Sequence, residues 1–286
     1  MFNPIAGTTQ TLCLIAHPVA GSSSPALHNA SFEEQGLDAR FMAYDVLPEH
    51  LASAVAGLAA LGVRGYSVGV PHKEAVIPLL DELSDAARLM QSVNCVQMTD
   101  EGRLVGHNTD GLGFTEALEA AGIHLQGAKL AIVDDGAEGP SWIVQAALEG
   151  ASEILVLCAK ERLGQERTWL DRIAAQLTCH LRLMPLEELI GPEALMGYDA
   201  FCNGSRIGTG ETLGSSPVPK QCLNSHLVVV DANYNPRVTT LLAEAAQAGC
   251  VTIGGLEPLL NQAAYAQKLW LDVDMPKKDV KERLFG

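Results

Sequence analysis

The sequence predicts an α/β protein with two domains, the first built on a mixed sheet and the second on a largely parallel sheet. Short apolar runs alternate with helical patterns almost throughout the chain. A hairpin signal, Asp100-Glu101-Gly102, lies between two strand patterns of the first part, which makes its sheet mixed. After about residue 110, strand and helix patterns alternate, and this alternation implies parallel strands. A length of 286 residues fits two domains.

The elements of the first part follow from local signals. Ser24-Pro25 has the form of an N-cap followed by proline at the first helical position, and Gly36 stands where a C-cap belongs. Gly62 ends a helix that starts at a proline. Further helices are expected after Lys73 and after Ser84. The predicted strands are 12–15, 40–46, 65–70, 95–98 and 103–106, and the proline-initiated helix is 48–61.

The second part contains a longer series of strand and helix patterns. The predicted elements are helix 113–121, strand 130–133, helix 141–148, strand 153–157, strands 199–202 and 227–231, and helix 256–271. Residues 204–219 are rich in Gly, Ser and Pro and are interpreted as a long loop, of a kind that is usually functional or mobile. The polar tail 274–286 is expected to fray or to cap the surface.

Composition excludes several classes of function. The chain has 19 Lys+Arg against 34 Asp+Glu, a formal net charge of −15, which argues against a nucleic-acid partner. The seven cysteines are scattered without a CxxC pair, so neither a disulfide framework nor a metal site is expected. The N-terminus lacks a signal-peptide pattern, and no apolar run is long enough to span a membrane. We therefore expect a cytoplasmic protein without a membrane partner.

Three segments carry residues suited to chemistry. In HPVAGSSSPALH, the hydroxyls of Ser22 and Ser24 precede a helix and could hold a carboxylate, although locally an N-cap role for Ser24 is favoured. In SVGVPHKEAVIPLLDEL, Lys73 follows a strand end, where it could donate to a substrate oxygen or remain a solvated lysine. In SVNCV and GHNTDGLGF, Asn94 and Asp110 lie near strand ends, and Asp110 could equally cap a helix.

Taken together and in order, these segments resemble the shikimate dehydrogenase family. The resemblance covers almost the whole chain, and its motifs here are HPVAGSSSP, GVPHKEAVIPLLDEL, SVNCV, GRLVGHNTDGLGF, VVVDANYNPRVTTLL and GLEPLLNQAAYAQKLW. It implies a substrate domain formed by residues 1–109 and 255–286, with an inserted Rossmann-like, doubly wound domain at 110–254. It also implies that the cofactor is NAD or NADP.

The resemblance also assigns roles to residues. Lys73 and Asp110 should form the catalytic pair, and Asn94 should bind the ring hydroxyls of a small substrate. Ser22 and Ser24 should contact the substrate carboxylate, and Gln262 should complete the pocket. The residues expected to bind the cofactor are Asp135, Gly136, Ala137, Gly139, Cys158, Lys160, Asn203, Gly204 and Gly255.

The chain departs from the family pattern in two places that bear on specificity. Gly69 stands where the family has a threonine whose hydroxyl touches substrate, and one hydrogen bond is worth about 0.5–1.5 kcal/mol net. At the end of the strand at 153–157, Ala159 stands where the family often has an arginine for the 2′-phosphate. Lys160 is the only nearby cation, so NAD is weakly favoured over NADP.

The phosphate-binding loop departs further from the family pattern. It has the sequence Asp134-Asp135-Gly136-Ala137-Glu138-Gly139 instead of a glycine-rich turn. A carboxylate about 4 Å from a phosphate would cost roughly 1–4 kcal/mol, unless it points away from the ligand.

The main hypothesis is an oxidoreductase that transfers a hydride between a nicotinamide cofactor and a hydroxylated cyclic carboxylic acid. One alternative is a non-catalytic relative whose acidic loop has lost cofactor affinity. Another is an enzyme of similar architecture, such as a folate-type methylene dehydrogenase, and the third is a generic Rossmann protein. The ring acid remains open between shikimate, quinate and relatives, and a homodimer is among the assemblies considered.

Overall fold

The computed structural model describes residues 4–286, which divide into two compact units. The N-terminal unit runs up to Thr109 and includes Leu260–Gly286, whereas the central unit is Asp110–Leu259. No helix within the described residues is long and apolar enough to cross a membrane. All seven cysteines are free thiols.

The elements alternate along the chain as follows. Up to residue 109 they are β1 (Gln10–Ala16), α1 (Ser24–Gln35), β2 (Ala39–Asp45), α2 (Leu51–Ala60), β3 (Gly65–Val68), α3 (His72–Ala75), β4 (Glu82–Leu83), α4 (Asp85–Met90), β5 (Cys95–Met98) and β6 (Leu104–His107). From residue 110 they are α5 (Asp110–Ala120), β7 (Lys129–Val133), α6 (Gly139–Leu148), β8 (Glu153–Cys158), α7 (Leu163–Ala174), β9 (His180–Pro185), β10 (Ala200–Asn203), β11 (Val228–Asp231), α8 (Thr240–Gln247) and β12 (Val251–Ile253). The last two helices are α9 (Leu256–Leu271) and α10 (Lys277–Phe285).

The sheet of the N-terminal unit is mixed, with strand order β2-β1-β3-β5-β6-β4. Strand β5 runs antiparallel to both β3 and β6, while the other pairs are parallel. Successive residues of β1 point to opposite faces of the sheet, because side chains alternate along a strand. Leu12 and Leu14 pack with Phe32 and Trp270, whereas Cys13 packs on the other face in a cluster that includes residues of α2.

The sheet of the central unit is parallel throughout, with strand order β12-β11-β10-β7-β8-β9. Numbered within the unit, this order is 6-5-4-1-2-3, the doubly wound Rossmann arrangement. Strands β10 and β11 are buried at every position, as expected for inner parallel strands covered on both faces. In α6, the Trp142 ring stacks on Phe114 of α5, with centroids 4.2 Å apart. The predicted fold class, a mixed sheet and a Rossmann-like parallel sheet, is confirmed.

Several local predictions were confirmed, chiefly those based on glycine at helix ends and turns. Gly36 is the left-handed C-cap of α1, and Gly62 has a φ of +68° after α2. Helix α9 has the predicted bounds, and the predicted hairpin is formed by β5 and β6.

Other local predictions were wrong. Ser24 is not the N-cap of α1, because Ser23 takes that position without a side-chain hydrogen bond. Helix α5 begins at Asp110 instead of residue 113. Of the two expectations for the polar tail, only fraying is wrong: the tail covers part of the surface as α10, where Arg283 pairs with Glu33 and Glu34 of α1. The elements α7, β9, α8 and β12 were not predicted.

Candidate active site

Strand pairing places Asn94, a predicted substrate residue, at one edge of the N-terminal sheet. Ser67 of β3 pairs with Cys95 of β5, which pairs in turn with His107 of β6. Because β5 runs antiparallel to its neighbours, it begins where β3 and β6 end. Asn94, just before β5, and Asn108, just after β6, therefore lie at the edge where β3 ends. Mixed pairing thus gathers residues that are distant in sequence.

Asn94 is held at this edge by Thr109. Its Nδ2 donates to Thr109 Oγ1 at 3.0 Å, and its Oδ1 accepts from Thr109 N at 2.8 Å. The Thr109 hydroxyl also lies 3.4 Å from Gln262 Oε1 of α9. Asn94 and Thr109 are buried, so these hydrogen bonds fix the amide orientation in a protected environment. Sequence reasoning selected Asn94 and Gln262 but not Thr109, which links them.

Lys73 and the serine segment lie on loops and helices attached to the same edge. Lys73 is half-buried in α3, and its carbonyl accepts from Val93 N at 2.8 Å, next to Asn94. His17 N donates to Val70 O at 3.0 Å, which joins the start of the serine segment to the segment carrying Lys73. Ser22 is exposed, and its hydroxyl accepts from Ser24 N at 3.2 Å.

Asp110 is the first residue of α5 and belongs to the central unit. Its neighbour Gly111 is packed against α6, since a Cβ there would lie 2.5 Å from Gln145 Cβ and 2.6 Å from Ser141 O. The first turn of α5 is therefore anchored by close helix packing. Asp110 is half-buried and directly follows Thr109 in the chain.

The carboxyl ends of β7 and β10 mark the switch point of the central sheet, where the strand order reverses and where ligands of doubly wound folds bind. The loop 134–139 follows β7, and the loop 204–208 follows β10. Glu138 N and Gly139 N donate to Gly204 O at 3.0 and 3.2 Å. A Cβ at Gly204 would come within 2.8 Å of Gly139 Cα, so position 204 needs glycine for this close approach, whereas a Cβ at Gly139 would lie 2.6 Å from Asp134 Oδ1.

The two aspartates of the loop accept hydrogen bonds from its backbone N–H groups. Asp134 Oδ1 accepts from Gly136 N at 2.6 Å, and Asp135 Oδ1 accepts from Ala137 N at 3.0 Å. Asp135 Oδ2 accepts from Arg206 N at 2.9 Å, so its carboxylate bridges the loops after β7 and β10. The N–H groups of 136 to 139 thus all have acceptors within the chain.

The Asp134 side chain points into the unit rather than toward the loop exterior, and it is only 2% exposed. Burial first, and then the nearby Glu166 carboxyl, raise the pKa of Asp134 above its ordinary value. Arg162 opposes this rise and donates to Glu166 Oε1 at 2.5 Å. Asp134 Oδ2 is buried without a donor among the described residues. Since two carboxylates have only acceptor atoms, the pair gains a hydrogen bond when one carries a proton.

The loop after β10 is shaped by a buried polar network that sequence reasoning missed. Asn203 Nδ2 donates to Asp231 Oδ1 at 3.0 Å and to Ile207 O at 2.9 Å. Thr239 Oγ1 donates to Asp231 Oδ2 at 2.5 Å, and Asn233 Nδ2 donates to Asp231 Oδ1 at 3.0 Å. Burial raises the pKa of Asp231, while these donors oppose the rise. The network fixes the backbone from 203 to 207.

The remaining predicted cofactor residues fall around the same sheet edge or near it. Cys158 is buried at the end of β8, and burial raises the pKa of its thiol to about 11. Lys160 is exposed on the turn that follows. Gly255 follows β12, and a Cβ there would overlap the Ala232 carbonyl group. Arg162, which was not predicted, lies beside the loop, with its Nη2 3.2 Å from the position of a Cβ on Gly136.

The strand order and the switch-point loops define the chain as an α/β protein of the dinucleotide-binding class with an additional mixed-sheet unit. Residues 14–96 match the shikimate dehydrogenase substrate binding domain. The shikimate dehydrogenase (NADP(+)) of Alkaliphilus metalliredigens is 36% identical over 97% of this chain and 96% of its own length. The chain belongs to the shikimate dehydrogenase family.

Solved structures agree with this assignment. Shikimate 5-dehydrogenase from Listeria monocytogenes, solved in complex with shikimate and NAD, superimposes with a TM-score of 0.94 at 34% identity, covering 100% of this chain and 99% of that one. Ligand-free 5-ketofructose reductase of Gluconobacter superimposes with a TM-score of 0.90 at 29% identity, covering 97% and 98%. The same fold therefore also carries a reductase named for a substrate other than shikimate.

Proposed function

We propose that the chain is a nicotinamide-dependent dehydrogenase that oxidises a CH–OH group of a hydroxylated cyclic carboxylic acid of the shikimate or quinate type. The observation that carries this proposal is the full-length similarity to a shikimate dehydrogenase complex with shikimate and NAD. The motifs bearing Lys73, Asn94, Asp110 and Gln262 are all present in this chain, in the family's order.

The edge of the N-terminal sheet suits a small polyhydroxylated ring. Asn94 and Gln262, joined through Thr109, offer amide groups for ring hydroxyls in a fixed orientation. The hydroxyls of Ser22 and Ser24 and the N-terminal turn of α1 can bind a carboxylate, because backbone N–H groups and the helix dipole favour an anion there. The acid group would thereby fix which end of the ring enters the site.

We assign the proton chemistry to Lys73 and Asp110. The Lys73 ammonium would donate to the reacting oxygen and stabilise the negative charge that develops on it during oxidation. The Asp110 carboxylate would accept a hydrogen bond from the same hydroxyl and help to manage its proton. A nicotinamide dinucleotide, when bound, supplies the hydride acceptor of this reaction.

The doubly wound order and the close approach of Gly139 to Gly204 fit a dinucleotide at the switch point of the central unit. The weak preference for NAD, drawn from Ala159, stays a prediction. Arg162 argues against it, because its guanidinium lies beside the loop, where it could pair with a 2′-phosphate. The name of the Alkaliphilus relative specifies NADP, whereas the Listeria structure is a complex with NAD. We therefore propose NADP or NAD, with Arg162 supporting NADP.

The substrate itself is tested by a matrix of acids and cofactors. Purified protein is assayed for nicotinamide reduction with shikimate and quinate against NAD and NADP, and for nicotinamide oxidation with 5-ketofructose, which has no carboxylate. If an acid is the substrate, its KM should rise in a Ser22→Ala/Ser24→Ala double variant, because the hydroxyls proposed to bind its carboxylate are gone. Activity with 5-ketofructose alone, unaffected by the serine changes, would contradict the proposed substrate class.

A second candidate function has one observation in its favour. The loop donors at Gly136 and Ala137 are occupied by the chain's own carboxylates, as in a protein that binds the acid without using a dinucleotide. Calorimetric titration separates the candidates, since saturable binding of NAD or NADP supports the dehydrogenase. Binding of shikimate or quinate without binding of either dinucleotide would favour the non-catalytic protein.

A further inference from the structure

We infer that Asp135 is an internal competitor for the cofactor phosphates: its carboxylate occupies the switch-point N–H groups, and a dinucleotide binds only by displacing it. This inference rests on the proposed function, because it takes the central unit to be the dinucleotide site. It concerns how strongly that site binds and which residue sets the affinity.

The Asp135 carboxylate lies between the loops that follow β7 and β10. In doubly wound folds, the crevice between the first and fourth strands of the unit receives the phosphates, and here these strands are β7 and β10. Asp135 spans that crevice, accepting from Ala137 N on one side and from Arg206 N on the other. Its two oxygens therefore use donors from both loops, as phosphate oxygens would.

The N–H groups of residues 136 to 139 already have acceptors within the chain. Gly136 N is bound to Asp134 Oδ1, while Glu138 N and Gly139 N are bound to Gly204 O. Asp134 is buried and its side chain faces Glu166 and Arg162, and Gly204 is fixed by its contact with Gly139. Asp135 is only half-buried, so among these acceptors it is the one that can rotate outward into water.

The negative charge of Asp135 also opposes phosphate binding. Displacing Asp135 breaks two charge-assisted hydrogen bonds, and the freed carboxylate stays near the incoming phosphates on the same loop. Both effects weaken dinucleotide binding, whereas a neutral or shorter side chain at 135 removes them. Asp135 would then reduce cofactor affinity and would not contribute to it.

The test compares dissociation constants measured by calorimetry for NADP, NAD and ADP, the last of which carries the diphosphate without nicotinamide. Asp135→Ala should bind all three about tenfold or more tightly than the unaltered protein, since two hydrogen bonds to a charged group are removed as competitors. Asp135→Asn keeps the side-chain size and one acceptor, so it should show a smaller gain.

Asp171→Asn is the matched control, because Asp171 is exposed on α7 and its loss changes the net charge equally. It should leave each constant within about twofold, as expected for a screened surface charge. Thermal unfolding of each variant checks the fold. If Asp135→Ala does not fold, Asp135→Asn still decides the question.

Unchanged or weaker binding in both Asp135 variants would overturn the inference, while an active unaltered enzyme would leave the proposed function standing. A gain for the dinucleotides with ADP unchanged would also overturn it, because the effect would not lie at the phosphates. If neither the unaltered protein nor any variant binds a dinucleotide, the proposed function fails, and this inference fails with it.

Discussion

The Ala16 side chain fills the space that a side chain on Gly69 would need, at the ends of neighbouring strands: a Cβ on residue 69 would lie 2.8 Å from the Cβ of Ala16. Gly69 is the position where the family's threonine is missing. The threonine cannot simply be restored, because Ala16 already fills the volume next to it. Sequence reasoning identified Gly69 but not Ala16, the neighbour that takes up the space a threonine there would need.

This relationship predicts the outcome of restoring the threonine. Gly69→Thr alone should lower the free energy of unfolding by about 1–3 kcal/mol, the usual cost of overpacking, because the new side chain would collide with the buried Ala16. Ala16→Gly/Gly69→Thr should recover much of that loss, since the methyl group in the way is gone. Urea unfolding of both variants and of Ala16→Gly alone measures the coupling. Simple addition of the two single effects would contradict the shared space.

Lys73→Ala should lower turnover by about two to four orders of magnitude, the range that a positioned acid or base contributes. The fold should survive, because Lys73 is half-buried and the Val93 hydrogen bond uses its backbone carbonyl. Steady-state kinetics with the best acid and cofactor measure the effect. Lys278→Ala, an exposed lysine of α10, is the control and should retain normal turnover. Near-normal turnover in Lys73→Ala would refute the assignment.

Thr109→Val preserves shape but removes the hydroxyl that connects Asn94 with Gln262. The Asn94 amide then loses one hydrogen bond, which is worth about 0.5–1.5 kcal/mol net. We expect lower stability and a raised KM for the acid, because Asn94 keeps the hydrogen bond from the backbone N–H of residue 109 but loses its link to Gln262 and is held less firmly.

Thr168→Val is the control for this variant, since the Thr168 hydroxyl donates to a carbonyl in its own exposed helix turn. It should change the stability by less than about 0.5 kcal/mol. Equal effects of the two substitutions would show that the Thr109 hydroxyl has no special role.

Asp134→Asn should stabilise the protein at neutral pH. The pKa of Asp134 is raised in the folded state above its ordinary value of 3.8, chiefly by burial and then by Glu166. The folded state therefore binds this proton more tightly than the unfolded state does, and stability falls as pH rises from about 4 through the raised pKa. An asparagine has no proton to lose, and its amide can donate to Glu166.

The measurement for Asp134→Asn is the free energy of unfolding as a function of pH. The variant and the unaltered protein should be similar near pH 4 and diverge as pH rises toward neutrality, with the variant more stable. A difference that does not depend on pH, or a variant that becomes less stable with rising pH, would contradict the raised pKa.

The sequence determined those features that depend on local chemistry. Glycine C-caps such as Gly36, the hairpin at Gly102 and the apolar runs of the central strands follow from backbone freedom and hydrophobic pattern alone, and the α/β class followed from their alternation. The motifs around Lys73, Asn94 and Asp110 were recognisable because they are continuous in the chain. Helix α7 and the helical tail were missed because each has few buried residues among many polar ones. Their apolar periodicity is therefore weak, and their packing depends on contacts with distant parts of the chain.

Only the tertiary structure decided which partners the acidic loop residues take. Asp134, Asp135 and Glu138 were equivalent carboxylates in the sequence, yet Asp134 turns inward to Glu166 and Arg162 while Asp135 bridges to Arg206. Likewise, Thr109 holds Asn94 and also contacts Gln262, which lies 153 positions further along the chain than Thr109. Such contacts arise from strand order and from the burial of charge. Both depend on how distant segments pack, and no local pattern encodes them.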